Sequence, residues 1–348
     1  MNNLNKLKKS TSHFKKIIIL GLLFGVAFLL NIALGQVAIP LKEIIKAFFG
    51  APNVRDTWEY IILNFRLPKA ITAIFVGAGL SVSGLLMQTL FRNPLAGPYV
   101  LGLSSGSSLG VAFIFLGAHF LPLGLASFFT SNTGILLASC LGSLAVLILV
   151  FLVSKKVKDT MSILIIGLMF SSFSGAIVSV LTYFSSAEQL QRFTFWSMGN
   201  LGNLDWSQVV ILSISVSFGL FLSLLTLKTL DAFLLGENYA KSLGIAIKEK
   251  RNHIFLTTGI LAGSITAFVG PIAFIGLAIP HISKLYFQTS NHRILFIGTS
   301  LIGGIMMLLC DTISQMPGQN FTLPINAITS ILGAPVVIWL LVRKKGIR

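Results

Sequence analysis

Residues 66–110 hold two apolar runs of membrane-spanning length, parted by a loop that no helix crosses unbroken: Arg92-Asn93-Pro94-Leu95-Ala96-Gly97-Pro98. An apolar run of about 18 residues or more reaches across a hydrocarbon core of about 30 Å. Such runs recur along the whole 348-residue chain. Backbone groups in lipid find no water, so the runs must be helices or a closed barrel. Their length and their lack of two-residue alternation reject the barrel. Only 10% of the residues are charged, against about 25% in a soluble chain. The expected fold class is an all-α polytopic membrane protein, with residues 1–348 as one transmembrane domain.

Ten spans are expected, at about 17–35, 67–91, 98–117, 134–154, 161–184, 207–228, 252–270, 272–288, 294–313 and 324–342, with uncertain ends. Pro271 and Pro280 interrupt the eighth. The first run follows a basic stretch (Lys6, Lys8, Lys9, Lys15, Lys16) but is too long for a signal-peptide core, so it reads as an uncleaved helix. Orientation follows from Lys and Arg, which collect in cytoplasmic loops. The segments on the N-terminal side hold twenty, Arg92 and Lys158 among them; the opposite segments hold six, Lys42, Lys46, Arg55, Arg66, Lys69 and Arg192. Both termini are therefore expected in the cytoplasm, with 1–16 as a basic cytoplasmic segment. The net charge of +16 is a topology signal, since no soluble basic domain exists to carry nucleic acid. Cys140 and Cys310 lie in apolar runs outside any CxxC pattern and read as packing residues.

Gly102, Gly106 and Gly110 form two GxxxG steps, which let helix backbones approach closely. In the segment 229–251, Leu234, Leu235, Tyr239, Leu243 and Ile247 recur about once per helical turn. One amphipathic helix is expected, lying on the bilayer or docked in a partner's groove, with Glu237 and Lys241 paired across one turn. Residues 236–242 lack the second glycine and the preceding strand of a phosphate loop, so no ATP site is expected in this chain. Asp311 is the one acid placed within a span. It reads either as a functional group or as a tie between helices. His281 follows Pro280 and sits in no metal-ligand cluster; it reads as a hydrogen-bonding residue, with metal or haem ligation as the alternative. Arg66 and Lys69 flank Pro68 at the outer mouth of the second span, as exposed headgroup anchors or docking points for an acidic partner. Ser171, Ser172, Ser174, Ser179 and Thr182 line a polar path or bond back to their own helix.

A series of short blocks runs in order along the chain: Arg66-Leu67-Pro68-Lys69, Gly77-Ala78, Ser83-Gly84, Gln88, Asn93-Pro94-Leu95-Ala96, Leu101-Gly102, Trp196-Ser197-Met198-Gly199, 236–244, Phe268-Val269-Gly270, Ile279-Pro280-His281, Asp311 and Leu332-Gly333-Ala334-Pro335. With these the chain resembles, from about residue 30 onward, the permease subunits of ABC importers for iron-siderophore complexes, haem or vitamin B12. The resemblance implies a type II ABC importer permease with ten helices, paired with a second copy or a sister permease. It also implies a cytoplasmic ABC ATPase dimer and an extracytoplasmic substrate-binding protein. This chain would then be no enzyme and bind no cofactor, ATP being used by the partner. By the same resemblance, Gly236, Glu237, Ala240, Leu243 and Gly244 contact the ATPase, and Arg66 and Lys69 meet the binding protein. Asn93 and Leu95 form part of a cytoplasmic gate, with Thr160 and Met161 near its other segment. Lys69 stands where Arg is usual, which keeps the charge and loses the fork. Gln315 and Thr322 stand where the family often has Arg and Glu, a departure at a further outer docking contact. The expected cargo is an iron chelate, a siderophore complex or haem, with cobalamin as the alternative. An ion-coupled secondary transporter would need midplane ionisable groups, and a membrane-embedded enzyme would need a catalytic acid–base pair.

Overall fold

The computed structural model describes residues 2–37, 39–48, 55–117, 131–157, 159–316 and 321–344, and every regular element among them is helical. In chain order these are α1 (Asn2–Ala33), α2 (Leu41–Phe48), α3 (Asp56–Ile61), α4 (Leu67–Leu90), α5 (Leu103–Phe115), α6 (Asn132–Lys156) and α7 (Thr160–Tyr183). There follow α8 (Ala187–Ser197), α9 (Trp206–Leu224), α10 (Leu227–Leu235), α11 (Glu237–Ser242), α12 (Ile247–Val269), α13 (Ile275–Phe287), α14 (His292–Ser314) and α15 (Ile325–Lys344). Seven described stretches are long and apolar enough to cross a membrane: Ser12–Ala33, Asp56–Leu90, Asn132–Lys156, Thr160–Tyr183, Trp206–Leu224, Ile247–Val269 and His292–Ser314. Leu103–Phe115 and Ile325–Trp339 are apolar but shorter.

The bundle is built around α4. Of its best apolar window 83% is buried, against 17% for α7, so α4 is ringed by protein while α7 lies at the periphery. The cause is composition: Ala70, Ala73, Gly77, Gly79, Ser81, Ser83 and Gly84 give α4 small residues on every side, and α9, α12, α13 and α14 pack against it. Gly77 faces Gly303 of α14 so closely that an added Cβ would meet the Gly303 carbonyl oxygen at 2.2 Å. Gly106 and Gly110 serve the same end, packing on Gly142 and Ala138 of α6. Gly102 does not continue that face. It takes φ +81 as the left-handed start of α5 and abuts Gly167 of α7.

Proline sets two departures from the expected spans. The second span starts earlier, because α3 runs into α4 through a π-helical turn, Ile62–Arg66. The Leu67 N–H reaches back five residues to Ile62, and Pro68 has no N–H to give. The skipped Leu63 carbonyl accepts instead from the Trp206 indole N–H at 3.1 Å. The eighth span is shorter than expected. Gly270 and Phe274 both adopt positive φ, so helix α13 begins only at Ile275. Pro280 then leaves the Gly276 carbonyl without its partner four residues on. That oxygen lies against α4, 1.6 Å from where a Cβ on Gly84 would stand.

The segment 229–251 is not one helix. Gly236 at φ +121 and Gly244 at φ +79 divide it into α10, α11 and the first turn of α12. Lys158, Lys345 and Arg348, counted on the basic side, and the segment 317–320 lie outside the described residues. Gly84→Ala is expected to cost about 1–3 kcal/mol as an overpacked contact. Gly175→Ala has nothing within 4 Å of the added carbon and should be silent. Thermal melts in detergent compare the two, and equal melts would refute the close approach.

Candidate functional site

Helices α4 and α14 run antiparallel, and side chains from both ends of the pair gather most of the polar chemistry. At one end Lys69 Nζ lies 3.0 Å from Asp311 Oδ1. Asp311 is 1% exposed, so its second oxygen needs donors. Asn31 of α1 supplies one at 2.9 Å, and Gln315 supplies another at 2.8 Å. Asp311 therefore ties three helices together.

Arg66 departs from its expected exposure. It is buried, and its guanidinium donates to the carbonyls of Ile32 at 2.6 Å, Ala33 at 3.1 Å, and Val37. The Ile32 and Ala33 carbonyls end α1 without intrahelical donors, Val37 lies just beyond it, and a cation near that helix end also suits the helix dipole. The Lys69–Asp311 pair forms part of the wall of a cavity of ≈ 660 Å³, lined as well by Arg192, Trp196, Asn200 and Gln208. Arg192 pairs with Glu188 at 2.7 Å.

At the other end α4 stops at a tight loop. Arg92 takes φ +46, and its Nε donates to the Phe233 carbonyl at 3.0 Å. Asn93 Oδ1 accepts from the Leu95 N–H at 2.9 Å, an Asx turn. His281 Nε2 donates to the Pro94 carbonyl at 3.0 Å, so His281 does bond, to this loop. Leu95 is exposed. Thr160 is brought to Glu237, to whose Oε1 it donates at 2.7 Å, while Met161 beside it is exposed. Glu237 thus turns to Thr160 rather than to the expected Lys241.

Asp159 caps α7. Its carboxyl is held below its ordinary value of 3.8, first by the Ser162 hydroxyl and N–H and also by the Arg251 charge. Arg251 is buried and donates to the carbonyls of Ser154 and Val157 at 3.0 and 3.2 Å, closing α6. Ser171, Ser172 and Ser179 bond back to carbonyls of their own helix.

The exposed surface of this end carries large apolar side chains among polar and charged ones such as Asn238 and Lys241. Leu234, Leu235, Tyr239 and Leu243 are all exposed, while Ala240 is fully buried beneath them. The two left-handed glycines turn these side chains outward together. Sequence reading missed the contact of Asp231 with His292, at 2.6 Å, because the two lie 61 residues apart with no motif between them. It also missed Asn31 and counted Arg251 only as one basic residue among many. Among the described residues, no group of three or more His, Cys, Asp or Glu is placed to hold a metal ion.

This arrangement defines a class: a multi-pass α-helical membrane protein whose polar groups join helices. The model of the FecCD transport family matches residues 22–343. The chain belongs to that family, which makes it a membrane-embedded transport subunit and not an enzyme. It is 35% identical to the hemin transport system permease protein HmuU of Yersinia pestis over 294 residues, 84% of this chain and 86% of that one. It is also 35% identical to the vitamin B12 import system permease protein BtuC of Photorhabdus laumondii over 289 residues, 83% of each. A solved structure described as an inward-facing ABC transporter of metal-chelate type matches with TM-score 0.81 and 30% identity, over 95% of this chain and 99% of that chain.

Two outcomes follow from this geometry. Lys69→Met leaves the buried Asp311 carboxylate without its cation and should cost about 3–5 kcal/mol, Asp311→Leu alone strands the Lys69 ammonium, and the double change Lys69→Met with Asp311→Leu recovers much of the summed cost. A double-mutant cycle on detergent-solubilised protein measures this, and additive costs would refute the pairing. The Asp159 cap has a pH signature. Its lowered folded value means that its contribution is full above 3.8 and is lost as pH falls through that lower value. The melting difference between wild type and Asp159→Ala should hold steady from pH 5 to 8 and close only in stronger acid.

Proposed function

We propose that this chain is the membrane-spanning subunit of an ATP-driven importer that moves an iron chelate, a siderophore complex or haem, across the cytoplasmic membrane by alternating access. The haemin permease relative and the metal-chelate type transporter support that cargo class. The B12 permease relative supports cobalamin as a second reading. The chain itself would bind no ATP and no cofactor.

The observation that carries the proposal is the set of exposed apolar side chains Leu234, Leu235, Tyr239 and Leu243, on two short helices parted by Gly236 and closed by Gly244, both at positive φ. An apolar face of this kind suits docking in a partner's groove. Two tethers run from it into the bundle: Phe233 to Arg92, and Glu237 to Thr160. A partner ATPase that moves Gly236, Glu237, Ala240, Leu243 and Gly244 would move the ends of α4 and α7 with them. Asn93, Leu95, Thr160 and Met161 would then open and close the cytoplasmic gate. A secondary transporter has no use for such a face.

The remaining architecture follows the same reading, a type II permease. The seven long spans, with α5, α13 and α15, make ten crossings with both termini inside, which puts the Arg92 end in the cytoplasm. A second copy or sister permease would pack on the apolar sides of α7 and α15, where Phe173, Val180, Ile331 and Ile338 are exposed. The substrate-binding protein would dock over the cavity at the Lys69 end. Lys69 retains some exposure for that contact, whereas Arg66 would act indirectly by holding the end of α1.

The test is uptake into proteoliposomes by this chain with its cognate ATPase and binding protein, offered labelled ferric siderophore, haem and cobalamin. ATP-dependent uptake of one iron chelate is expected, and Leu235→Asp should abolish it by blocking the ATPase contact. Uptake of cobalamin alone would select the second reading. Uptake driven by an ion gradient without the ATPase would refute both.

A further inference from the structure

We infer that Asp231, His292 and Thr89 form a joint through which movement of the 229–244 segment enters the α4–α14 pair. The inference rests on the importer reading above and adds to it three residues that pass the movement on. His292 opens α14 and is fully buried. Asp231 lies on α10, three residues before the exposed Leu234. Its Oδ1 accepts the His292 backbone N–H at 3.1 Å and lies 2.6 Å from His292 Nδ1. An ionised carboxylate only accepts, so Nδ1 carries the proton of that contact. On the far side of the ring, Nε2 lies 2.9 Å from Thr89 Oγ1, next to the last residue of α4. Thr89 is itself bonded to the Leu85 carbonyl at 2.9 Å. One imidazole therefore touches the coupling segment, α4 and its own helix.

The rest of the pair gives this contact its reach. The same two helices are fastened at their opposite end by Lys69 and Asp311, and between the ends by the backbone approach of Gly77 and Gly303. Helices packed this closely shift as bodies and do not bend locally. A push on His292 is therefore delivered about 30 Å away at Asp311, at about 1.5 Å per residue along α14. What stands there is the cavity wall. The Arg92 and Glu237 tethers hold the same segment to the α4–α5 loop and to α7. The Asp231 contact alone among the three enters α14.

The test uses the full importer in proteoliposomes, with the cargo that wild type transports, and records uptake and ATP hydrolysis in the same vesicles. Asp231 is 43% exposed, so truncation opens no buried void. Asp231→Ala should leave hydrolysis near wild type and lower uptake per ATP by about 5-fold or more, the lower end of typical coupling between sites. Asp231→Asn keeps an acceptor oxygen for both donors and should restore most of the ratio. Thr89→Val should lower the ratio and Thr89→Ser should recover it. A purely structural role would reduce uptake, hydrolysis and melting temperature together. An unchanged ratio in Asp231→Ala, or an Asn variant as impaired as Ala, overturns the joint while wild-type ATP-driven uptake still stands. Absence of ATP-driven uptake in wild type overturns the importer reading and the joint with it.

Discussion

A lysine and an aspartate facing each other inside a bundle of apolar helices admit few arrangements. Where the dielectric is low, an unpaired charge is far more costly than an imperfect contact, so Lys69 and Asp311 must meet. Their meeting sets the register of α4 against α14. That register aligns Gly77 with Gly303, where only small residues let the backbones close, and brings Thr89 to His292 at the far end. The second oxygen of Asp311 then places α1 through Asn31, and Arg66 closes the end of that same helix. Much of the described core follows from one pair being satisfied in one geometry.

The breaks in the helices are as ordered as the helices. Two prolines, Pro68 and Pro280, remove donors and leave carbonyls that face neighbouring helices. Leu63 is taken up by the indole of Trp206, and the Gly276 carbonyl fits the space that Gly84 leaves open. Irregular backbone is tolerated at membrane depth only where protein re-satisfies it. At the Arg92 end two glycines, Gly236 and Gly244, divide the segment that exposes Leu234, Leu235, Tyr239 and Leu243. Gly236 and Gly244 take positive φ there at little cost, while Arg92 takes φ +46 in the neighbouring loop.

Much of this was legible in the residues. The apolar runs declare a helical membrane protein, and the loop at 92–98 declares a break between two of them. Other features were not legible. The apolar spacing of Leu234 to Ile247 matches one helix, and nothing in that spacing says that Gly236 will take φ +121 and split it. Arg66 beside Lys69 looks like a pair of exposed cations, yet Lys69 turns to the buried Asp311 and Arg66 is buried against the end of α1, which needs donors that its own sequence cannot supply.

Sequence alone therefore determined the class of fold, the approximate position of most spans and the likeness to a transport family, because these depend on local hydrophobicity and on motifs read in order. Tertiary structure alone decided which charges are spent inside the bundle and which remain for partners. Lys69 and Asp311 are 242 residues apart, Asp231 and His292 are 61 apart, and Thr160 and Glu237 are 77 apart. Electrostatic and hydrogen-bond energies depend on distance in space, and the chain's order carries no record of those distances until the helices have packed.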